Sequence, residues 1–559
     1  MRHLHQLILD TYLSPHSLPF STTIEIIMHK LIIPTLTALL ALPLQAQHTV
    51  DVAVFSLNDF HGAFVRSDHK GIVGAPSVWQ TLDSLKRVYP YNVTVSAGDN
   101  FGGSYFYNAT HGALLPVFFN DLGIRISAIG NHEFDDGQRS LAEKWAGSPL
   151  RPKDWDITYV CANVRDNATG AIPSFAQPVK KVDIPISADK NVSIAFEGLL
   201  TSFTPKQVSV RRIAGLSFDG RYPEVADSVS YTPYGPQVKD ATVRLLLTHI
   251  ATYTDSTTQA PAWDDLDAAN LKRLNRKDWD GILSSHSHKW VCGYINDSQI
   301  PVVQGRWHGD YISALVCTVD TTDMKLVKVE PHTFKVTPKE HLEAGPARLQ
   351  QQIDSLLANT RTSGGTPLGT VLTQAREDMP HDRDSKYRLS QVGTLVCRAY
   401  AEEFRRTKHL ADKDVVIGCS HFGSIRAGFV KGPVSVLDVG EVLPFSNALR
   451  TYHLTGAQLM ELMEFGMHNK QFGWIQVGNL EISQDANTHV NSLTYVSPQG
   501  RRIRLQPKKK YYLVTDDFIT HGGDGYSPDF FPEEDEVKVN GMHATTDAFI
   551  NYLREQKEI

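Results

Sequence analysis

The first part of the chain alternates short apolar runs with helical stretches, and this alternation constrains the fold more than any other feature. Val50–Leu57, Asn92–Ser96, Ile126–Ile129, Ser193–Phe196, Val243–Thr248 and Gly281–Ser284 are rich in Val, Ile and Leu and have the length of buried strands. Open α/β sheets of this kind gather their chemistry at the carboxyl ends of the strands. Four of the six runs pass at once into a motif of metal-ligand type. The expected architecture is therefore a layered α/β (α+β) domain with its site along one sheet edge.

The motifs are Asn58-Asp59-Phe60-His61-Gly62, Gly98-Asp99-Asn100, Gly130-Asn131-His132-Glu133-Phe134-Asp135, Thr248-His249 and His286-Ser287-His288. Any one alone would be a turn or a surface loop. Together, in this order and at strand ends, they describe a two-metal site for hydrolysing phosphate esters. Asp59 and His61 stand two apart at a strand end, so both can point to one side. Asp99 follows a glycine, where backbone can approach a cation closely, and its two oxygens can bridge two metals. Asn131 offers a neutral carbonyl oxygen; His249, His286 and His288 offer imidazoles. Such a nitrogen and oxygen set without thiolate suits Zn, Mn, Co or Fe better than Ca or Mg. His132 is then free to stabilise phosphoryl charge or protonate the leaving alkoxide, with Asp135 three residues on to orient its ring.

Charge and composition bound the partners. Lys+Arg total 55 against 61 Asp+Glu, a net charge of −6, so nothing points to a nucleic-acid polymer. Five cysteines, none in CxxC spacing, are not a disulfide framework, and they read as buried, strand-borne small hydrophobes. Residues 1–27 read as an upstream extension. Residues 28–46 read as a signal peptide: Met28-His29-Lys30, then an apolar run from Leu31 to Leu44, then Gln45-Ala46. The run is too short to span a bilayer, and no cysteine follows the cleavage site. The expectation is an exported protein, periplasmic or secreted, without a stable membrane anchor.

From Pro338 the pattern changes. Leu349, Ile353, Leu356 and Leu357 are spaced for one helix face, and Thr362-Ser363-Gly364-Gly365 breaks the helix. The expected organisation is a catalytic domain over 47–337, a helical linker over 338–365 and a smaller α/β domain over 366–559. The last has strands such as Val415–Gly418, Leu449–Leu454 and Tyr511–Thr515. A helix is expected to open at Thr455, where Gln458 completes a capping box and Leu459, Leu462 and Met463 form the buried face.

These motifs resemble those of the 5′-nucleotidases, whose first domain is a calcineurin-like metallophosphoesterase. Further likeness lies in Gly423-Ser424-Ile425-Arg426, Pro444-Phe445-Ser446-Asn447 and the loop Asp517-Phe518 through Gly522-Gly523-Asp524-Gly525. The resemblance implies a four-layer β-sandwich with flanking helices, joined to a smaller substrate-binding domain. It implies one metal on Asp59, His61, Asp99 and His288, and a second on Asp99, Asn131, His249 and His286. It implies that Phe445 and Phe518 sandwich a base, that Asn447 belongs to the same pocket, that Asp524 accepts from ribose hydroxyls, and that Arg426 pairs with phosphate. A second phosphate-pocket cation would be Lys386 or Arg388, with Arg388 the choice. Two departures stand out: His421 occupies a position where the family usually has Asn, and Ser284-Ser285 replaces the glycines before His-Ser-His. The implied activity is hydrolysis of nucleoside 5′-monophosphates, with 2′,3′-cyclic nucleotides or UDP-sugars as alternative substrates on the same scaffold. A non-enzymatic binding protein is disfavoured, because every candidate ligand is present.

Overall fold

The structure is a computed structural model that describes residues 48–264, 271–274, 278–295, 298–362, 364–382, 384–445 and 447–559. The expected signal segment over 28–46 lies outside the described residues. Residues 49–559 form one compact unit.

In its first part the strands of the two large sheets are β1 (Thr49–Leu57), β2 (Asn92–Ser96), β3 (Ile126–Ala128), β4 (Thr158–Val160), β5 (Ala176–Gln177), β6 (Val179–Pro185), β7 (Asn191–Leu200), β8 (Val243–His249), β9 (Gly281–Leu283), β10 (Trp290–Tyr294), β11 (Pro301–Gly305), β12 (Tyr311–Asp320) and β13 (Lys325–Lys335). They make two sheets, in the orders β13-β12-β1-β2-β3-β4-β5 and β10-β11-β9-β8-β7-β6. The strands β1 to β5 run parallel in the first, as do β7, β8, β9 and β11 in the second; antiparallel strands close the edges. Parallel strands carry their carboxyl ends to one side, so the loops after β1, β2, β3, β8 and β9 converge.

The two sheets face each other through a dry core. Val52, Val54, Val95 and Ile126 of the first pack on Ile194, Phe196, Leu245 and Leu247 of the second. Helices close both outer faces. Ala75–Val88 and Leu115–Leu122 cover the first sheet, and Tyr222–Val229 covers the second. Helix, sheet, sheet, helix is the four-layer arrangement expected.

The rest of the chain contributes β14 (Val416–Ser420), β15 (Leu449–Thr455), β16 (Gln476–Val477) and β17 (Lys510–Asp516), in the order β15-β17-β14-β16. A helix over Ala344–Asn359 precedes them and buries Leu349 and Ile353. The helix Gly456–Met467 opens on Thr455 with a reciprocal capping box to Gln458, and buries Leu459, Leu462 and Met463. The apolar core on the helical side of the first sheet continues into this part: Phe55, Trp79 and Tyr105 belong to the same cluster as Val396, Val439 and Phe549.

Among the cysteines, Cys317 and Cys419 are strand-borne and buried, as expected. Cys397 is instead buried on the helix Gln391–Lys408, Cys161 lies just beyond β4, and Cys292 is only partly buried on the edge strand β10. All five are free thiols.

Candidate metal centre and substrate cavity

The ligand-type residues meet where the two sheets present their strand ends. Asp59 and His61 do point to one side, but strand alternation is not the reason. Both lie past the end of β1 in the left-handed region, with φ of 48° and 50°. Asp99, His286, His288 and His308 share that conformation, at φ of 52°, 78°, 58° and 54°. L-residues avoid it at a cost of about 1 kcal/mol each, so the surrounding packing must impose it.

Two groups of side chains result. The candidate ligand atoms of Asp59, His61, Asp99 and His288 lie within 4.8 Å of one another, and so do those of Asp99, His249 and His286. Asp99 belongs to both groups. Its Oδ2 stands 3.7 Å from His61 Nε2 and 3.1 Å from His249 Nε2. His61 Nε2 approaches His288 Nε2 at 3.2 Å, and His286 Nδ1 approaches His249 Nε2 at 3.2 Å. The buried Asn131 Oδ1 has no hydrogen-bond partner. Imidazole nitrogens and an orphaned carbonyl converging on carboxylate oxygens are what a pair of divalent cations would satisfy, so the residues fit the group.

Buried hydrogen bonds aim these side chains. His249 Nδ1 lies 3.0 Å from the Ala97 carbonyl and 2.6 Å from Ser285 Oγ, which turns Nε2 toward Asp99. Asn58 donates to Asp59 Oδ2 at 2.7 Å and accepts from Gly305 N–H at 2.8 Å. Gln207 Nε2 meets His286 Nε2 at 3.1 Å. Glu133 is the hub of the centre: its carboxylate accepts from the N–H groups of Asp99, Asn100 and Gly130 at 2.8, 2.7 and 2.6 Å. It thereby joins the loop bearing Asp99 to the loop bearing Asn131. Sequence reasoning assigned Glu133, Gln207 and His308 no role. Glu133 stands inside one of the motifs, and an acid between two ligand-type residues was the available signal.

Electrostatics follow from burial. Desolvation raises the Asp59 carboxyl to about 7. Desolvation also pushes Asp99 upward, but His249 and His132 outweigh it and hold that carboxyl well below its usual range. Burial, with His249 alongside, lowers His286 to about 3, an imidazole kept neutral and ready to ligate.

His132 stands just outside both groups. Its N–H donates to Asp99 Oδ1 at 2.9 Å, and its Nδ1 meets Asp135 Oδ2 at 2.7 Å. Burial alone would lower the imidazole; Asp135 and Asp99 overcome it and hold the pKa above the usual value. Gly102 passes against this pair at φ 59°, where a Cβ would stand 2.4 Å from Asp135 Oδ2.

A cavity of about 790 Å³ opens over Asp99, Asn131 and His132, and Arg426, Phe445, Asn447, Phe518 and Asp524 line it too. The Arg426 guanidinium lies 5.7 Å from the centre of the Phe445 ring. Phe445 stands parallel to His132, with ring centres 5.8 Å apart and 5° between planes. Phe518 stacks instead on His421, at 4.7 Å and 21°. Each phenyl thus already covers an imidazole. Arg388 is a correction: its side chain is exposed and outside the cavity lining, because the segment turns to offer its backbone carbonyl to Gln476 Nε2 at 2.8 Å. Lys386 is the member of that pair that lines the cavity.

A sandwich of two mixed sheets with an Asp/His cluster at its strand ends is an arrangement suited to metal-dependent hydrolysis. Residues 367–530 match the family model for the 5′-nucleotidase C-terminal domain. The chain is 24% identical over 588 residues to the cell wall protein Lmo0130 of Listeria monocytogenes, covering 95% of this chain and 71% of that protein. It is 24% identical to the trifunctional nucleotide phosphoesterase protein YfkN of Bacillus subtilis over 80% of this chain, but spans only 30% of that longer protein. The fold superposes on a 5′-nucleotidase precursor from Thermus thermophilus with a TM-score of 0.68 and 21% identity, covering 91% of this chain and 97% of the other. Residues 367–530 thus match the 5′-nucleotidase C-terminal domain, and the whole chain is similar to proteins that carry it.

Proposed function

We propose that the protein is an exported phosphomonoesterase that hydrolyses nucleoside 5′-monophosphates to nucleoside and phosphate. The observation that carries this reading is one cavity with a metal-type cluster at one end and Arg426, Phe445, Asn447, Phe518 and Asp524 along its walls.

Asp59, His61, Asp99 and His288 would hold one divalent cation; Asp99, Asn131, His249 and His286 would hold a second. Zn, Mn or Co suits these donors. Bound there, the ions supply Lewis acidity toward phosphate and a hydroxide nucleophile near neutral pH. The chain's own residues do the rest. Arg426 presents a planar fork to the phosphate oxygens. Phe445 and Phe518 offer aromatic area to the base, worth about 1–3 kcal/mol per stacked base. Asn447 and Asp524 offer polar atoms to the nucleoside. His132, kept protonated by Asp135, stabilises phosphoryl charge and passes its proton to the departing O5′ alkoxide. Asp135 orients that ring through Nδ1. We further propose that 47–337 and 366–559 act as catalytic and substrate-binding domains joined by the helical segment 338–365.

Export rests on the leader-like pattern over 28–46, and the name of the Listeria relative places that protein at the cell wall. Among the described residues no helix is long and apolar enough to cross a membrane.

The test is phosphate release from AMP, UMP, a 2′,3′-cyclic nucleotide and UDP-glucose, before and after chelation and with Zn or Mn restored. Metal-dependent release from the monophosphates supports the reading. Release from the cyclic nucleotide or UDP-glucose alone would move the substrate to those classes, and release from none with metal bound would refute it.

A further inference from the structure

His421 is buried, lines the cavity and takes no part in the metal end. It follows the last residue of β14, next to the end of β17, so it stands among residues from three different segments. Its Nδ1 meets Asp524 Oδ2 at 2.6 Å. Its ring lies under Phe518 at 4.7 Å. Its Nε2 faces Asp516 Oδ1 at 4.0 Å. Asp516 is already committed: Oδ1 accepts from Phe518 and Ile519 N–H at 3.2 and 3.3 Å, and Oδ2 accepts from Ser420 Oγ at 3.1 Å. Asp516 therefore anchors the turn that carries Phe518, whereas Asp524 is held by the imidazole.

The backbone around this pair is built for it. Asp524 sits at φ 49°, and its carbonyl accepts from Asn469 Nδ2 at 3.0 Å. A Cβ at Gly423 would stand 2.8 Å from Asp524 Oδ2 and 3.0 Å from His421 Nδ1, so only glycine lets the pair close. With Oδ2 engaged by the imidazole, Oδ1 is the oxygen that Asp524 keeps for a ligand. Arg426 feels the Asp524 charge across the same cavity.

We propose that His421 is the positioning residue for sugar recognition: it holds Asp524 so that one carboxylate oxygen faces a hydroxyl of the substrate. The ligand class is a phosphate ester of a hydroxyl-bearing sugar, preferred over the same ester without those hydroxyls. This inference rests on the nucleotidase reading above.

The experiment uses the full metal-replete chain with AMP, 2′,3′-dideoxy-AMP and p-nitrophenyl phosphate, comparing the unsubstituted protein with His421→Ala and His421→Asn. His421→Ala is expected to raise KM for AMP about tenfold, the worth of one charge-assisted hydrogen bond, with little change in kcat. KM for the dideoxy nucleotide and for p-nitrophenyl phosphate should stay unchanged. His421→Asn, whose amide nitrogen can stand where Nδ1 stands, should restore most of the AMP affinity. Equal losses on all three substrates would overturn the proposal in favour of a merely structural role, and so would no loss on any. Hydrolysis of p-nitrophenyl phosphate but not AMP by the unsubstituted protein is a separate pattern; it refutes the nucleotidase reading and takes this assignment with it.

Discussion

Glu133 offers the sharpest test of how the centre is held. Its side chain is fully buried, and each oxygen serves two donors: Oε2 takes the N–H groups of Asp99 and Gly130, Oε1 the N–H and Nδ2 of Asn100. Glu133→Gln keeps the shape but one oxygen only. Whichever oxygen becomes the amide nitrogen, two buried donors lose their acceptor and face another N–H. Each such donor costs roughly 1–3 kcal/mol, so the variant should lose roughly 2–6 kcal/mol of stability. That is a large fraction of the roughly 5–15 kcal/mol that holds a typical domain together. The same change unties the loop of Asp99 from the loop of Asn131, so metal affinity should fall by at least about tenfold, equivalent to 1.4 kcal/mol. Urea denaturation of the chelated protein would measure the first effect at pH 8, and calorimetric metal titration the second. A variant with an unchanged urea midpoint and unchanged affinity would refute the reasoning, because the four hydrogen bonds would then carry no net weight.

Other outcomes follow from the same geometry. His132→Ala should lower kcat by about 10²–10⁴-fold, the usual worth of a positioned proton donor, with metal content intact; loss of metal would make His132 a ligand instead. Gly102→Ala should lower kcat through displacement of Asp135 and not through metal loss, since the new methyl would press on Asp135 Oδ2; metal analysis beside kinetics separates the two. Asp59 is held near 7 in the cation-free protein, above its ordinary value of 3.8, so metal affinity should weaken as pH falls through about 7 and the carboxyl takes up the competing proton. The sign for the cation-free fold is opposite: this group stabilises it increasingly from about 7 down to its unfolded value, and that stability is lost as pH rises through 7. Titrations at pH 6 and 8 in two buffers should show greater proton release at the lower pH, since His249, raised to about 9 by Asp99, gives up a proton at both.

Six strands of the first part were legible because each is a short apolar run, and β2 falls on the expected residues without adjustment; long strands such as Tyr311–Asp320 and Lys325–Lys335 were not read from the sequence. The metal-type cluster was legible because ligand-type residues follow those runs in the sequence. What sequence could not supply was the conformation after the strand: Asp59 and His61 converge through left-handed turns, and no spacing rule encodes those. Arg388 was misplaced because two basic residues two apart look alike in a string, and only the path of the loop decides which enters the cavity. Glu133 and the pair of His421 with Asp524 were hidden because their partners lie 34 and 103 positions away in the chain.

The left-handed ring of Asp59, His61, Asp99, His286, His288 and His308 also bears on how this protein would evolve. Each position would be more comfortable as glycine, by about 1 kcal/mol, so selection for thermal endurance alone would erode the site before it touched the core. Variants enriched for heat resistance without a demand for activity should therefore accumulate changes at these residues. Under selection for activity the same residues should stay invariant, and stabilising changes would have to come from elsewhere in the chain.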